Sequence, residues 1–124
     1  MSDINFLVVD DSATMRRIIV NSLKRLRFTK VDEAENGVDA LQKMGTKAYD
    51  AILTDWDMPE MGGLDFVTAI RKNEKLKNLP ILMITTRGLQ EDVIEAMKAG
   101  VNNYIIKPFT PDVLKKKLDK ILKI

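Results

Sequence analysis

Apolar residues come along this chain in short blocks separated by polar punctuation. Asn5-Phe6-Leu7-Val8-Val9 is a continuous run of strand formers that ends in Asp10-Asp11. Continuous rather than alternating hydrophobicity predicts a strand covered on both faces. Ser12 then stands where a helix N-cap belongs, and Met15, Ile18, Ile19, Leu23 and Leu26 follow at helical spacing. A weaker strand is predicted over Lys30–Ala34. Asn36-Gly37 marks an ordinary turn, and Val38, Leu41 and Met44 make a short helix stopped by Gly45. Ala51–Thr54 is the third strand, which presents Asp55 at its end. The chain leaves it through Trp56-Asp57-Met58-Pro59 and restarts at Gly62-Gly63. Leu64, Val67 and Ile70 then carry a helix into a Lys-rich loop near 72–78. Pro80–Ile84 is the fourth strand, ending in Thr85-Thr86. Leu89, Val93, Ala96 and Met97 form a helix stopped by Gly100. Tyr104–Ile106 is the fifth strand, ending in Lys107-Pro108. Thr110-Pro111 fits an N-cap followed by proline at the first helical position, and Leu114, Leu118, Ile121 and Leu122 complete the last helix. Met15, Met44, Met83 and Met97 belong to the core in this reading.

Five strand–helix alternations in 124 residues predict an α/β fold: a parallel sheet with helices on both faces and right-handed crossovers. One domain spanning 1–124 is expected, with no output domain. Composition then narrows the chemistry. The content of 45% apolar residues suffices for one core, and the charged residues are mixed in sign with a net of only +2, which argues against a nucleic-acid binder driven by overall charge. No apolar run approaches membrane-spanning length, and Met1–Asn5 lacks the basic region and apolar core of a signal peptide. The cytoplasm is the default location, and a monomer is expected. The absence of Cys removes disulfides and thiolate chemistry, and the absence of His removes imidazole bases, imidazole metal ligands and phosphohistidine carriers. The basic run Arg16, Arg17, Lys24, Arg25, Arg27 reads as a solvated helix face, with Arg16 and Arg17 as a secondary option for docking an acidic partner.

The strand ends carry the candidate chemistry. In an open parallel sheet, ligands bind outside the carboxyl ends of the strands. Here those ends bring Asp10 and Asp11, Asp55, Thr85, and Lys107 toward one edge. Three clustered carboxylates repel one another, and one Lys cannot neutralise them; a hard divalent cation can. Mg²⁺ suits a site with few carboxylates because it keeps waters and accepts phosphate oxygens. Asp11, Asp55 and a backbone carbonyl near Asp57 would hold it, with Asp10 acting mainly through a water. A phosphoryl group drawn in by the metal and Lys107 would be attacked by the Asp55 carboxylate, giving an aspartyl-phosphate. Asp57 and Arg87 should border that group with opposite charge, pair across the site, and restrict the water that hydrolyses it. Trp56 is read as a partly exposed reporter beside the site.

In this order and at these positions, Val8-Val9-Asp10-Asp11-Ser12, Asp55-Trp56-Asp57-Met58-Pro59, Thr85 and Lys107-Pro108-Phe109 resemble the receiver domain of the two-component response regulators, and within that family its single-domain chemotaxis members. The resemblance spans essentially the whole chain. It implies a flavodoxin-like sheet of order 2-1-3-4-5, phosphorylation on Asp55, metal held at Asp10 and Asp11, a cis Lys107–Pro108 bond, and a switch in which Thr85 and Tyr104 respond to the phosphoryl group. The implied partners are a histidine kinase as phosphodonor, the flagellar motor switch as target, and optionally a phosphatase. Not a turnover enzyme, the protein would signal by binding. The family often has Asp or Asn where Gly62 stands, so the N-cap of the third helix is weakened here.

Other readings stay open on sequence alone. Asp10 and Asp11 could be a solvated helix cap, Thr85 a plain strand end, and Tyr104 half-buried packing. A phosphorelay intermediate or phosphate sink would share every motif. A haloacid-dehalogenase-type phosphatase would share Asp55-x-Asp57, although in that family the motif follows the first strand. A flavin mononucleotide carrier would need a hydroxyl-rich phosphate loop where Asp10-Asp11 stands.

Overall fold

The five predicted strands become five parallel strands in the computed structural model, which describes residues 3–124; Met1 and Ser2, the start of the stretch read for a signal peptide, lie outside it. The elements are β1 (Asn5–Val9), α1 (Ala13–Arg25), β2 (Lys30–Ala34), α2 (Gly37–Met44), β3 (Ala51–Thr54), α3 (Gly63–Lys72), β4 (Ile81–Thr85), α4 (Gln90–Ala99), β5 (Asn103–Ile106) and α5 (Pro111–Leu122). Strand order is β2-β1-β3-β4-β5, every neighbouring pair parallel. The order reverses between β1 and β3, so the expected crevice opens above those two strands.

Strand alternation sends successive side chains to opposite faces. Phe6, Val8, Leu53, Leu82 and Ile84 pack with Ile19 and Leu23 of α1 and Leu114 and Leu118 of α5. Leu7, Val9, Ile52, Ile81 and Met83 pack on the other face with Ala40 of α2, Phe66, Val67 and Ile70 of α3, and Ala96 of α4. Both faces of β1, β3 and β4 are therefore dry, which is why these strands read as unbroken apolar runs, whereas the edge strand β2 is polar and largely solvated. Each such aliphatic side chain, fully buried, contributes about 1.5–3 kcal/mol.

Helix starts follow their caps. Ser12, Asn36 and Thr110 each accept the backbone N–H three residues on, from Met15, Asp39 and Val113. Asn36 is thus a buried N-cap, not the ordinary turn residue the Asn-Gly pair suggests. Four apolar residues assigned to helical stripes turn out exposed: Ile18 at 47%, Val38 at 38%, Met97 at 46% and Leu89 at 62%. The buried stripe of α1 is narrow, only Ile19, Ser22 and Leu23. α4 buries only Ala96 fully, with Val93 packed partly buried beside it, while Ile94 and Met97 face outward, and Leu89 precedes the helix as its N-cap residue.

The start of α3 needs a separate account. Gly62 provides no side-chain cap, yet the helix begins at Gly63. Gly63 N–H donates to the Trp56 carbonyl at 2.8 Å. A Cβ on Gly63 would lie 2.2 Å from the Asp55 carbonyl oxygen and 2.8 Å from the Trp56 Cα. The helix start is pressed against the backbone that carries Asp55, and only glycine fits. Gly63→Ala is expected to destabilise the protein by about 2 kcal/mol, the range for overpacking. Gly45→Ala, at a helical φ of −73° where a Cβ would meet only carbonyls of its own helix, the nearest that of Gln42 at 3.3 Å, should stay within about 0.5 kcal/mol. Urea unfolding of both variants checks this, and equal midpoints would refute the close-approach argument.

Candidate functional site

β1 and β3 are adjacent and in register, with Val9 beside Thr54, so the residues after them emerge side by side. Asp55 N–H donates to the Val9 carbonyl at 2.9 Å, and Asp10 N–H to the Ala34 carbonyl at 3.1 Å, extending the sheet pairing just past the strand ends. Lys107 arrives from β5, its N–H held by the Thr85 carbonyl at 2.8 Å. The Lys107–Pro108 bond is cis, as the resemblance implied. The Lys107 ammonium then lies 2.9 Å from Asp10 Oδ2 and 3.3 Å from Asp55 Oδ2, with its side chain only 9% exposed.

Each acid is held differently. Asp10 is buried, and its other carboxylate oxygen accepts the Ser12 N–H at 2.9 Å. Asp55 Oδ1 accepts the Trp56 N–H at 2.6 Å. Asp11 is exposed, and no side-chain hydrogen bond or ion pair among the described residues reaches its carboxylate. One oxygen from each of the three acids lies within 4.8 Å of the others. Oxygens sharing one Mg²⁺ sit about 3–4 Å apart, since each lies about 2 Å from the ion. An all-oxygen donor set with a net negative charge at nearly this spacing fits a hard divalent cation.

Around this centre stand the hydroxyl and the second charge pair. Thr85 is fully buried, and its Oγ1 accepts the Arg87 N–H at 3.3 Å. The Arg87 guanidinium bonds both Asp57 oxygens, at 2.7 and 3.0 Å, and reaches Asp92 of α4 at 3.7 Å. It also lies 4.5 Å above the Trp56 ring, which is partly exposed. The hydrogen bonds from Arg87 hold the Asp57 carboxyl below its ordinary range. Tyr104 is buried, and its Oη donates to the Arg87 carbonyl at 2.9 Å.

The response regulator receiver domain family matches residues 6–119. The chain belongs to that family. The chemotaxis protein CheY1 of Helicobacter pylori is 58% identical over 117 residues, 94% of each chain. The chemotaxis protein CheY of Pseudomonas aeruginosa is 50% identical over 115 residues, 93% of each. Among solved structures, the chemotaxis response regulator CheY4 of Vibrio cholerae has a TM-score of 0.88 at 35% identity, covering 96% of this chain and 98% of that one. The BeF3-activated DrrB receiver domain, at 22% identity and a TM-score of 0.85 over the full length of both chains, shares the fold.

The receiver-domain site also contains a residue that helical patterning placed elsewhere. Arg16, read as part of a solvated face, is only 18% exposed and donates to the Asp10 carbonyl at 2.6 Å and to Glu33 at 3.0 Å. Its long reach across six residues leaves no periodic signal. Gly63 was legible only as half of a Gly-Gly pair. The second glycine, one more than an N-cap position requires, was the clue to a close backbone approach.

Burial, and then the nearby Asp92 charge, push the Tyr104 phenol up to about 12 from its ordinary 10.0, and the Tyr49 phenol is raised as well. Tyr104 therefore remains a hydrogen-bond donor throughout the neutral range. Because its folded value lies above its unfolded one, its contribution to stability is complete below pH 10 and is lost as pH rises through about 12. Near-ultraviolet absorbance should show no phenolate forming around pH 10 while the fold persists. A step there that disappears in Tyr104→Phe would contradict the buried, donating ring.

Proposed function

We propose that this chain is a phosphorylation-activated signalling switch that accepts a phosphoryl group on Asp55 and acts by binding a partner. The observation that carries the reading is the convergence of Asp10, Asp11 and Asp55 around Lys107 at the carboxyl edge of β1, β3 and β5. As in the resemblance, the donor is the phosphohistidine of a histidine kinase. An Asp55 Oδ attacks phosphorus, the bond from phosphorus to the donor's imidazole nitrogen breaks, and its electron pair stays on the imidazole. Asp11, Asp55 and the Asp57 backbone carbonyl, with Asp10 through a water, would hold Mg²⁺, which when bound neutralises charge on the phosphoryl oxygens. Lys107, already beside Asp55, supplies a second positive charge, and the Thr85 hydroxyl supplies a donor. Phosphoryl transfer needs positioning and charge neutralisation more than side-chain acid–base chemistry, so the lack of His is no obstacle.

Arg87 ties the phosphoryl site to the rest of the domain. Its N–H meets Thr85 Oγ1 and its carbonyl meets Tyr104 Oη. A Thr85 hydroxyl drawn toward phosphate pulls on the same peptide segment that holds the Tyr104 ring. Tyr104, Met97, Ile106 and Val113 line a groove between α4, β5 and α5, and the last three are exposed apolar residues. An apolar face joined to the site through Tyr104 favours output by docking, with the flagellar motor switch as the target suggested by the chemotaxis relatives, over a pure relay or phosphate sink. No helix of the described residues is long and apolar enough to cross a membrane. A partner that prefers the phosphorylated form must also favour phosphorylation.

With Mg²⁺ and acetyl phosphate, the protein should take up phosphate labile to acid and base, and Asp55→Asn should take up none. Phosphorylated protein, unlike Asp55→Asn, should bind the motor switch protein. No phosphate uptake would end the central reading; uptake without phosphate-dependent binding would end the motor reading alone. Trp56 fluorescence should report metal and phosphodonor independently. Arg87 and Asp57 form one wall of the site and limit the water that attacks the phosphate, so Arg87→Ala should shorten the phosphate's lifetime. An unchanged decay rate would remove Arg87 from that role.

A further inference from the structure

We propose that Arg16 is a positioning residue for the metal site: it sets the direction of the Asp11 carboxylate by gripping the peptide that joins Asp11 to Asp10. The inference rests on the metal-binding reading above.

Every polar atom of Asp10 is engaged. Its N–H goes to the Ala34 carbonyl, and its carboxylate takes Ser12 N–H and Lys107. Its carbonyl takes Arg16 Nη1 at 2.6 Å. Asp11 has no comparable restraint on its side chain among the described residues, and it is the exposed member of the acidic trio. A peptide unit is planar, so the Asp10 carbonyl, the Asp11 nitrogen and the Asp11 Cα move together. Fixing that carbonyl therefore fixes the plane from which the Asp11 side chain departs. Arg16 does this from the first turn of α1, and its Nε is held at the same time by Glu33, near the end of β2. Lys43 of α2 in turn donates to the Glu33 carbonyl. The guanidinium thus spans the β1–α1 connection and β2, a task for a planar fork and not for a single ammonium.

Charge alone makes the opposite prediction. Arg16 places a cation near a site meant for a cation, so removing it should tighten metal binding if electrostatics dominated. A positioning role requires that removing it weaken binding. The pairing with Glu33, whose own carboxylate is 46% exposed, offers no reason of its own to expect a change in metal affinity.

The test is direct metal binding by the full chain without phosphodonor. Mn²⁺ is the probe, its free aqua ion counted by electron paramagnetic resonance and competed with Mg²⁺. Wild-type protein is expected to bind one ion competed by Mg²⁺. Arg16→Ala should raise the Kd about tenfold, the low end for loss of a group that orients metal ligands. Circular dichroism confirms that the variant is folded, and among folded chains a stability change does not move Kd this far. If Arg16→Ala does not fold, Arg16→Lys decides: it keeps the charge but loses the fork, so weaker binding supports positioning and unchanged binding overturns it. Unchanged or tighter binding by folded Arg16→Ala likewise overturns the proposal while leaving the metal site intact. A wild-type protein that binds no Mn²⁺ would sink the metal reading and this inference with it.

Discussion

One ammonium sits between two carboxylates at the edge of the sheet, and the rest of the structure follows from that imbalance. Lys107 contacts Asp10 and Asp55, both well removed from water, and Asp11 completes a trio of acids. Three negative charges against one positive leave a net of two negative charges, one in the poorly solvated interior of the site and one on Asp11 at its exposed rim. Burying unpaired charge is expensive, and a pair survives there only if its hydrogen bonds are complete. Asp10 meets that condition from within the protein. Asp11 and Asp55 do not, and the remaining deficit matches a divalent cation and the oxygens it would bring. The arrangement is thus stable enough to fold and incomplete enough to bind.

The fold supplies this imbalance cheaply because a parallel sheet ends all its strands on one side. Dry faces require continuous apolar runs, and those runs hold each strand end in a fixed register. The polar residues that follow them are then positioned by the core itself. Asp55 is clamped further by the helix that follows it. Gly63 lets α3 begin in contact with the Asp55 carbonyl, so the Asp55 backbone is fixed from above as well as from the sheet. Weakening the side-chain cap at Gly62 does not prevent that helix, because Phe66, Val67 and Ile70 bury its inner face. Tertiary packing decides where a marginal helix starts.

This division explains what could be read from the sequence. Asp10, Asp55, Thr85 and Lys107 were legible because each stands at the end of an apolar run, and the periodicity that marks the strand also marks its end. Five alternations fixed the class of fold, while the strand order came only through the resemblance, since spacing does not say which strands are neighbours. Ile18 and Met97 were misplaced because a helical stripe counts apolar residues and cannot see which have a sheet beneath them. Arg16 was misplaced for the converse reason. It is a charged residue with an exposed-looking neighbourhood in sequence, and its partners, a carbonyl six residues back and an acid on another strand, follow from tertiary geometry alone.

Arg87 joins both kinds of information. Its side chain belongs to the charged rim of the site, paired with Asp57 and lying over Trp56, and it extends toward Asp92 on α4. Its backbone belongs to the interior, where it meets the hydroxyls of Thr85 and Tyr104. Under the proposed function, a change of charge at Asp55 would have two routes to the α4 and β5 face, one through the exposed ion pairs and one through the buried hydroxyls. Salt screens the first, whose members are largely exposed, far more than the second. The buried route is the one whose contacts salt leaves largely unscreened. The groove beside Tyr104 lies at its end, so the apolar surface proposed to dock a partner adjoins the buried hydroxyl contacts.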